Sequence, residues 1–308
     1  SHDTFGRLFR LLDAKVFEAC FREWISDLAG VVAGVVAIDG KTACGSRDGH
    51  NTALHTVSAY ATASGLCLGQ EHTRGKGHEI PAIKALLDTL ALKGCIVTID
   101  AIGCQTEIAR KILDRGGDYL LAVKDNQKDL ADALREFFAD GEPRGFGSLP
   151  VSRFQSLEKA HGRIETRQAM WVTNLSWLDK KLREHWPKLA GLGMIERQRE
   201  INGAVSTERA YYIGSQGIKS AESFAKAARD HWGIENSLHW VLDIAFREDD
   251  CRVRKDHAPH NFAALRKFAL ALLRKDTQFP KRSLRSRRKT AERLPDYRAS
   301  LRGLSSPS

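Results

Sequence analysis

No stretch of the 308-residue sequence approaches the ~20 consecutive apolar residues that span a bilayer, so neither a transmembrane helix nor a membrane partner is expected. Cysteine is sparse. The six thiols, Cys20, Cys44, Cys67, Cys95, Cys104 and Cys251, include no Cys-x-x-Cys pair, and histidine spacings such as His257 with His260 and His231 with His239 do not make up a zinc ligand set. A chain this long buries enough core to fold without disulfides, so reduced thiols in a cytoplasm are expected. No charged-then-apolar leader precedes the first helical pattern, and no internal repeat is visible.

What is present is a soluble composition, 42% hydrophobic and 28% charged, with a formal net charge of +10. The charge is unevenly placed. From Arg252 to Arg302 there are 16 Lys or Arg against 4 Asp or Glu, a balance of +12 that leaves −2 for the rest of the chain. A concentrated basic segment is the electrostatic footprint of a polyanion partner, most simply nucleic acid; a solvated basic tail is the alternative.

Apolar spacing predicts amphipathic helix from Thr4 to Leu28. Val31 to Ile38 is a β-branched run of the kind that forms a strand covered on both faces, and it ends at Asp39-Gly40. Strands at His55–Ala63 and Leu66–His72, a helix at Glu79–Leu92, a strand at Cys95–Ile99 ending at Asp100, a helix at Gln105–Arg115, a strand at Tyr119–Val123 and a helix from about Gln127 to Phe138 complete an α/β sheet of mixed direction. The pattern then changes to alternation. Arg163–Val172, Gly193–Ile201 and Val205–Ile213 read as strands, the last two joined by the hairpin signal Asn202-Gly203, with a helical stretch near Trp177 to Trp186. Helices follow at Ser220–Ala245 and Asn261–Arg274, and the remaining basic segment has weak periodicity. The expected organisation is the end of a helical region over 1–30, the first part of the α/β core over 31–140, a β-rich insertion over 141–215, closing helices over 216–276 and a basic tail over 277–308.

Two buried strands that each end in an aspartate, Asp39 and Asp100, place carboxylates where α/β sheets present ligand groups, on a rigid element beside an accessible loop. Either aspartate alone is equally well a loop starter or a helix cap. A third acid lies in His231-Trp232-Gly233-Ile234-Glu235-Asn236-Ser237-Leu238-His239-Trp240, where helical spacing would put His231, Glu235 and His239 on one face. Among Trp232, Ile234, Leu238 and Trp240, Glu235 reads as a carboxylate that needs a cation, a metal or a basic neighbour such as Arg229. Three carboxylates from separate segments suit a hard divalent cation such as Mg²⁺ or Mn²⁺, and two such ions about 3.5–4 Å apart serve phosphoryl transfer. Gly40-Lys41-Thr42 is not the end of a phosphate-binding loop, because Gly34 lies one residue too far away and the intervening residues are strand. A phosphatase with Asp39 as nucleophile is a weaker alternative, since Lys41 stands where its second aspartate would be.

The chain resembles the H-repeat-associated transposases of bacterial insertion sequences, within the DDE class whose catalytic core is ribonuclease-H-like. The likeness rests on Ser1-His2-Asp3-Thr4-Phe5-Gly6-Arg7, Ala37-Ile38-Asp39-Gly40-Lys41, Leu66-Cys67-Leu68-Gly69-Gln70, Thr98-Ile99-Asp100-Ala101 with Cys104-Gln105, Asp118-Tyr119 with Lys124-Asp125-Asn126-Gln127, His161-Gly162-Arg163-Ile164-Glu165, and the segment from His231 to Trp240. The resemblance implies that Asp39, Asp100 and Glu235 are the catalytic, metal-holding triad, that two Mg²⁺ or Mn²⁺ ions are the cofactor, and that the partners are element ends and target DNA, bound by a homodimer. It also implies an N-terminal region upstream of Ser1, which falls inside a family motif. The wider group carries Arg four residues before the catalytic Glu and Lys seven after it, where this chain has His231 and Leu242; Cys44 and His78 stand where relatives often have Arg and Asn. Lys41, Arg229, His231, His239, Arg252 and Arg254 are the candidate DNA contacts. A catalytically inactive, DNA-binding relative is the alternative function.

Overall fold

The computed structural model describes residues 2–47, 52–73, 75, 77–160, 163–201 and 203–303. Ser1, His161, Gly162, Asn202 and the last five residues of the basic tail, all singled out above, lie outside these described residues.

Two helices, α1 (His2–Leu11) and α2 (Ala14–Ala29), precede strands β1 (Gly34–Ala43), β2 (Leu54–Ala61) and β3 (Leu66–Thr73) and helix α3 (Glu79–Asp88). Next come β4 (Cys95–Ile99), α4 (Thr106–Asp114), β5 (Asp118–Val123) and α5 (Lys128–Arg144). Strands β6 (Val151–Ala160) and β7 (Arg163–Val172), helix α6 (Lys180–His185) and strands β8 (Gly191–Ile201) and β9 (Ala204–Gly214) follow. The chain closes with α7 (Ala221–His231), a π-helical segment (Ile234–His239), α8 (Trp240–Phe246), α9 (Ala258–Lys275), α10 (Leu284–Arg293) and α11 (Pro295–Leu301). Mixed strand directions flanked by helices make this an α/β fold.

The described residues fall into two compact units. The first comprises Ser1–Val32, Asp39–Leu90 and Gly233–Ser308, the second Ala33–Ile38 and Ala91–Trp232, so β1 contributes to both. In the second unit β1, β4 and β5 run parallel, β9 joins β5 antiparallel, and β8, β7 and β6 continue as an antiparallel meander. Helix α7 lays Ala221, Phe224, Ala227 and Ala228 over Val35, Leu120, Trp171 and Ile195, with the rings of Trp171 and Phe224 5.0 Å apart. A capping box between Ser220 and Ser223 starts that helix by satisfying its first free N–H groups.

Strand β6 is the one strand that sequence alternation did not predict. As the outermost strand it pairs only with β7, and its polar run Arg153, Gln155, Ser156, Glu158 and Lys159 has no second neighbour to bury it. The outer halves of β8 and β9 are likewise exposed and charged, whereas Gly191–Glu196 and Ile213–Gly214 are buried.

In the first unit β2 and β3 form an antiparallel hairpin, and α2 and α9 pack on β3. Asp13 breaks α1 from α2 because its carboxylate accepts from the N–H groups of Lys15 and Val16, capping the new helix. Trp24 of α2 lies 4.0 Å from Phe268 of α9, beside a core of Phe21, Ile25, Leu66 and Ala271. Despite its weak periodicity, the described part of the basic tail forms the helices α10 and α11. Arg287 is buried and donates to the carbonyls of Leu273, Pro280 and Arg282, and Tyr297 donates to Asp276, which fixes α10 and α11 against the end of α9.

A charged group is buried where α2 meets β3. Glu18 Oε1 accepts from Gln70 N at 3.0 Å, Lys267 Nζ donates to Gln70 Oε1, and Arg22 lies 3.8 Å from Glu18. Burial pushes the Glu18 carboxyl up to about 7, with Lys267 and the Gln70 N–H opposing it. Since the folded chain then holds this proton more tightly than the unfolded chain, the contribution is fully present below the ordinary value of 4.5 and is lost as pH rises toward 7. Stability is therefore expected to fall across that window by up to ~1.4 kcal/mol per pH unit, and Glu18→Gln to flatten the fall. Denaturant unfolding at pH 5 and pH 8 checks this; an equal fall in both proteins would contradict it.

Candidate active site

Parallel pairing of β1 with β4 runs from Gly34↔Cys95 to Ile38↔Ile99, and the next residue of each strand is an aspartate, Asp39 and Asp100. The register follows from two buried runs, residues 35–38 and, with Ile96 only partly buried, Cys95–Ile99: a slip of one residue would invert the faces that the strands present.

In the second unit Asp100 is exposed at the end of β4. Thr98 Oγ1 hydrogen-bonds His231 Nδ1 at 3.0 Å, which leaves His231 Nε2 to face Asp100 Oδ1 at 3.7 Å. The imidazole beside it holds the Asp100 carboxyl below its ordinary pKa. The loop after Asp100 is held from outside: Asn126 Nδ2 donates to the Ala101 carbonyl at 2.7 Å and Gln127 Nε2 to the Cys104 carbonyl at 2.8 Å. These residues were quoted above only as a motif, and their role as braces was not legible from spacing. Arg229 is half-exposed and pairs with Glu158 at 2.5 Å.

In the first unit Asp39 is partly buried, with His239 Nδ1 3.4 Å from its Oδ2. Gly40 passes over a buried pair: His55 Nε2 and Glu79 Oε1 are 2.7 Å apart, and Thr42 Oγ1 meets His55 Nδ1 at 2.7 Å. A Cβ at Gly40 would lie 2.6 Å from His55 Nε2 and 2.7 Å from Glu79 Oε1, so only glycine fits beside Asp39. Lys41, a candidate DNA contact, is enclosed by carboxylates: its Nζ lies 2.8 Å from Asp243, 3.0 Å from Asp249 and 3.5 Å from Glu248. Arg254 Nη2 donates to the Gly45 carbonyl at 2.9 Å, while Arg252 is exposed.

The expectation of one continuous helix through Glu235 is corrected. From Ile234 to His239 the helix widens to a π turn, in which Trp240 N–H donates to the Glu235 carbonyl five residues back, and Arg274 of α9 donates to the Ser237 carbonyl. His231, Glu235 and His239 therefore do not share one environment. His239 is buried, His231 is half-buried, and Glu235 is exposed rather than set among its apolar neighbours. Trp232 and Trp240, which suggested burial, are themselves 41% and 60% exposed.

Among the described residues, no three His, Cys, Asp or Glu side chains are gathered closely enough to enclose a metal ion. The donor chemistry nonetheless suits one: Asp39, Asp100 and Glu235 offer only oxygen, the preference of Mg²⁺ and Mn²⁺. None of the described helices is long and apolar enough to cross a membrane.

The sequence profile of the transposase DDE domain family matches residues 4–272. The chain belongs to the DDE transposase family. It is 40% identical over 278 residues to "Putative transposase YncI" of Escherichia coli O157:H7, covering 88% of this chain and 70% of that protein. It is 37% identical over 307 residues to "H repeat-associated putative transposase YhhI" of Escherichia coli strain K12, covering 97% of this chain and 80% of that one. Among solved structures, a piggyBac transposase synaptic complex with hairpin DNA aligns with a TM-score of 0.37 at 10% identity, covering 90% of this chain and 59% of the other, a likeness too distant to bear on the fold. In this member of the DDE transposase family the close fit at Gly40 yields a prediction. Gly40→Ala is expected to cost about 1–3 kcal/mol by overpacking, read from denaturant midpoints; an unchanged midpoint would contradict the contact.

Proposed function

We propose that the protein binds the ends of its own mobile element, cuts DNA phosphodiesters and joins the freed 3′ ends to target DNA, with Asp39, Asp100 and Glu235 as the catalytic triad. The observation that carries this reading is the in-register ladder Ile38↔Ile99, from which two strands emerge with an aspartate each. Family membership over residues 4–272 supports it, as does the π turn at Glu235, since such turns recur at functional sites.

Mg²⁺ or Mn²⁺ held by the three carboxylates would activate the attacking oxygen and stabilise the leaving one. The chain's own residues supply the rest. Asp39 and Asp100 are held by rigid strands, and His239 and His231 face them to orient them. In the first reaction a water oxygen forms a bond to phosphorus, the phosphorus bond to the 3′ oxygen breaks, and that oxygen leaves as a hydroxyl. In the second, this hydroxyl attacks a target phosphodiester and displaces another 3′ oxygen. Exposed Arg229 and Arg252, with Arg285, Lys289 and Arg293 spaced four residues apart on α10, are the contacts this reading assigns to the phosphate backbone.

Asp39→Asn, Asp100→Asn and Glu235→Gln are each expected to reduce Mg²⁺-dependent cleavage of element-end DNA at least 10³-fold while leaving DNA affinity within about twofold. Affinity should fall with salt at a log–log slope of about −0.9 per phosphate contacted. Cleavage at the wild-type rate by any one variant removes that residue from the mechanism. Binding without cleavage by the unaltered protein supports the non-catalytic reading, and turnover of simple phosphate esters without DNA affinity supports the phosphatase.

A further inference from the structure

Lys41 stands two residues after Asp39 on β1, so the two side chains leave the strand on the same side. Asp243 stands four residues after His239, one helical turn further along. The two spacings match. Asp39 meets His239 at 3.4 Å and Lys41 meets Asp243 at 2.8 Å, two successive rungs between the strand that carries Asp39 and the helix that follows Glu235.

The second rung is reinforced beyond one pair. Lys41 Nζ also lies 3.0 Å from Asp249 and 3.5 Å from Glu248, and Asp249 Oδ1 accepts in turn from Cys44 N at 3.2 Å. Glu248 is buried beside Lys41 and, at 3.7 Å, Arg266 of α9. The backbones are equally close here: a Cβ on Gly45 would lie 2.1 Å from the Asp249 carbonyl oxygen. The segment from Lys41 to Gly45 is thus fastened to the segment from Asp243 to Arg254 by one ammonium, two backbone contacts and the Arg254 hydrogen bond to the Gly45 carbonyl.

An ammonium shared by three carboxylates cannot turn outward to a phosphate without leaving Asp243, Glu248 and Asp249 to repel one another, one of them buried. We infer that Lys41 is a positioning residue, which clamps the helix bearing Glu235 to the strand bearing Asp39, and is not a contact to DNA. The inference deepens the function proposed above and rests on it for the roles of Asp39 and Glu235.

The test is Lys41→Met in the full 308-residue chain, compared with the unaltered protein and with Lys41→Arg, which keeps a cation in the cluster. For Lys41→Met the expected results are cleavage reduced at least 100-fold, element-end DNA affinity within twofold with an unchanged salt slope, and backbone hydrogen exchange across Trp240–Phe246 at least tenfold faster. Lys41→Arg is expected to recover cleavage to within tenfold of the unaltered protein. A loss of affinity with a salt slope shallower by about 0.9 makes Lys41 a phosphate contact and overturns the inference; so do unchanged cleavage and exchange. If the unaltered protein itself does not cleave, the proposed function fails, while the exchange and affinity measurements still decide the place of Lys41. Should Lys41→Met not fold, Asp249→Asn, at a carboxylate 42% exposed, removes one strand of the clamp. It is expected to speed the same exchange at least threefold, and unaltered exchange overturns the inference.

Discussion

Five consecutive backbone pairings between β1 and β4 fix the strand ends on which the proposed chemistry rests. Val35, Val36, Ala37 and Ile38 on one strand and Cys95, Val97, Thr98 and Ile99 on the other are buried, so burial fixes their register and the aspartates that follow emerge at matching positions. Placing a carboxylate at a strand end joins a rigid base to solvent access. Asp100 is exposed and Asp39 half-buried, and each faces a histidine.

Around this ladder the sequence spends glycine and charge on close approach. Gly40 lets β1 pass over the His55–Glu79 pair, and Lys41 gathers three acids that would otherwise repel. The π turn after Ile234 has a local cause of its own: the Ser237 carbonyl is taken up by Arg274, whose other arm donates to the Gly65 carbonyl and whose guanidinium lies 5.4 Å from the centre of the Tyr60 ring. A helix widened at this point spends regular hydrogen bonding on the placement of Glu235 and His239.

The apolar runs made most strands legible, because a strand buried on both faces leaves a contiguous signature, as at β1 and β4, and a half-buried one alternates, as at β7 to β9. Strand β6 escaped because an edge strand needs no apolar pattern. The folded basic end escaped because α10 is held by Arg287 donating to carbonyls, a bond that reads in sequence as one more surface charge. The strand-end positions of Asp39 and Asp100 were legible from the apolar runs alone. Glu235 was singled out by helical spacing, yet its surroundings were misread, since a spacing of 3.6 residues per turn does not survive a π turn. Lys41 looked like a DNA contact because sequence shows its charge but not the carboxylates that fold around it some 200 positions later.

The claim on which the rest depends is that Asp39, Asp100 and Glu235 together hold divalent metal. Anomalous diffraction from crystals of the DNA-bound protein grown with Mn²⁺ tests it most directly. Manganese peaks within ~2.3 Å of carboxylate oxygens of all three residues are predicted. Peaks that touch the aspartates but leave Glu235 unliganded, or that lie elsewhere on the chain, would contradict it.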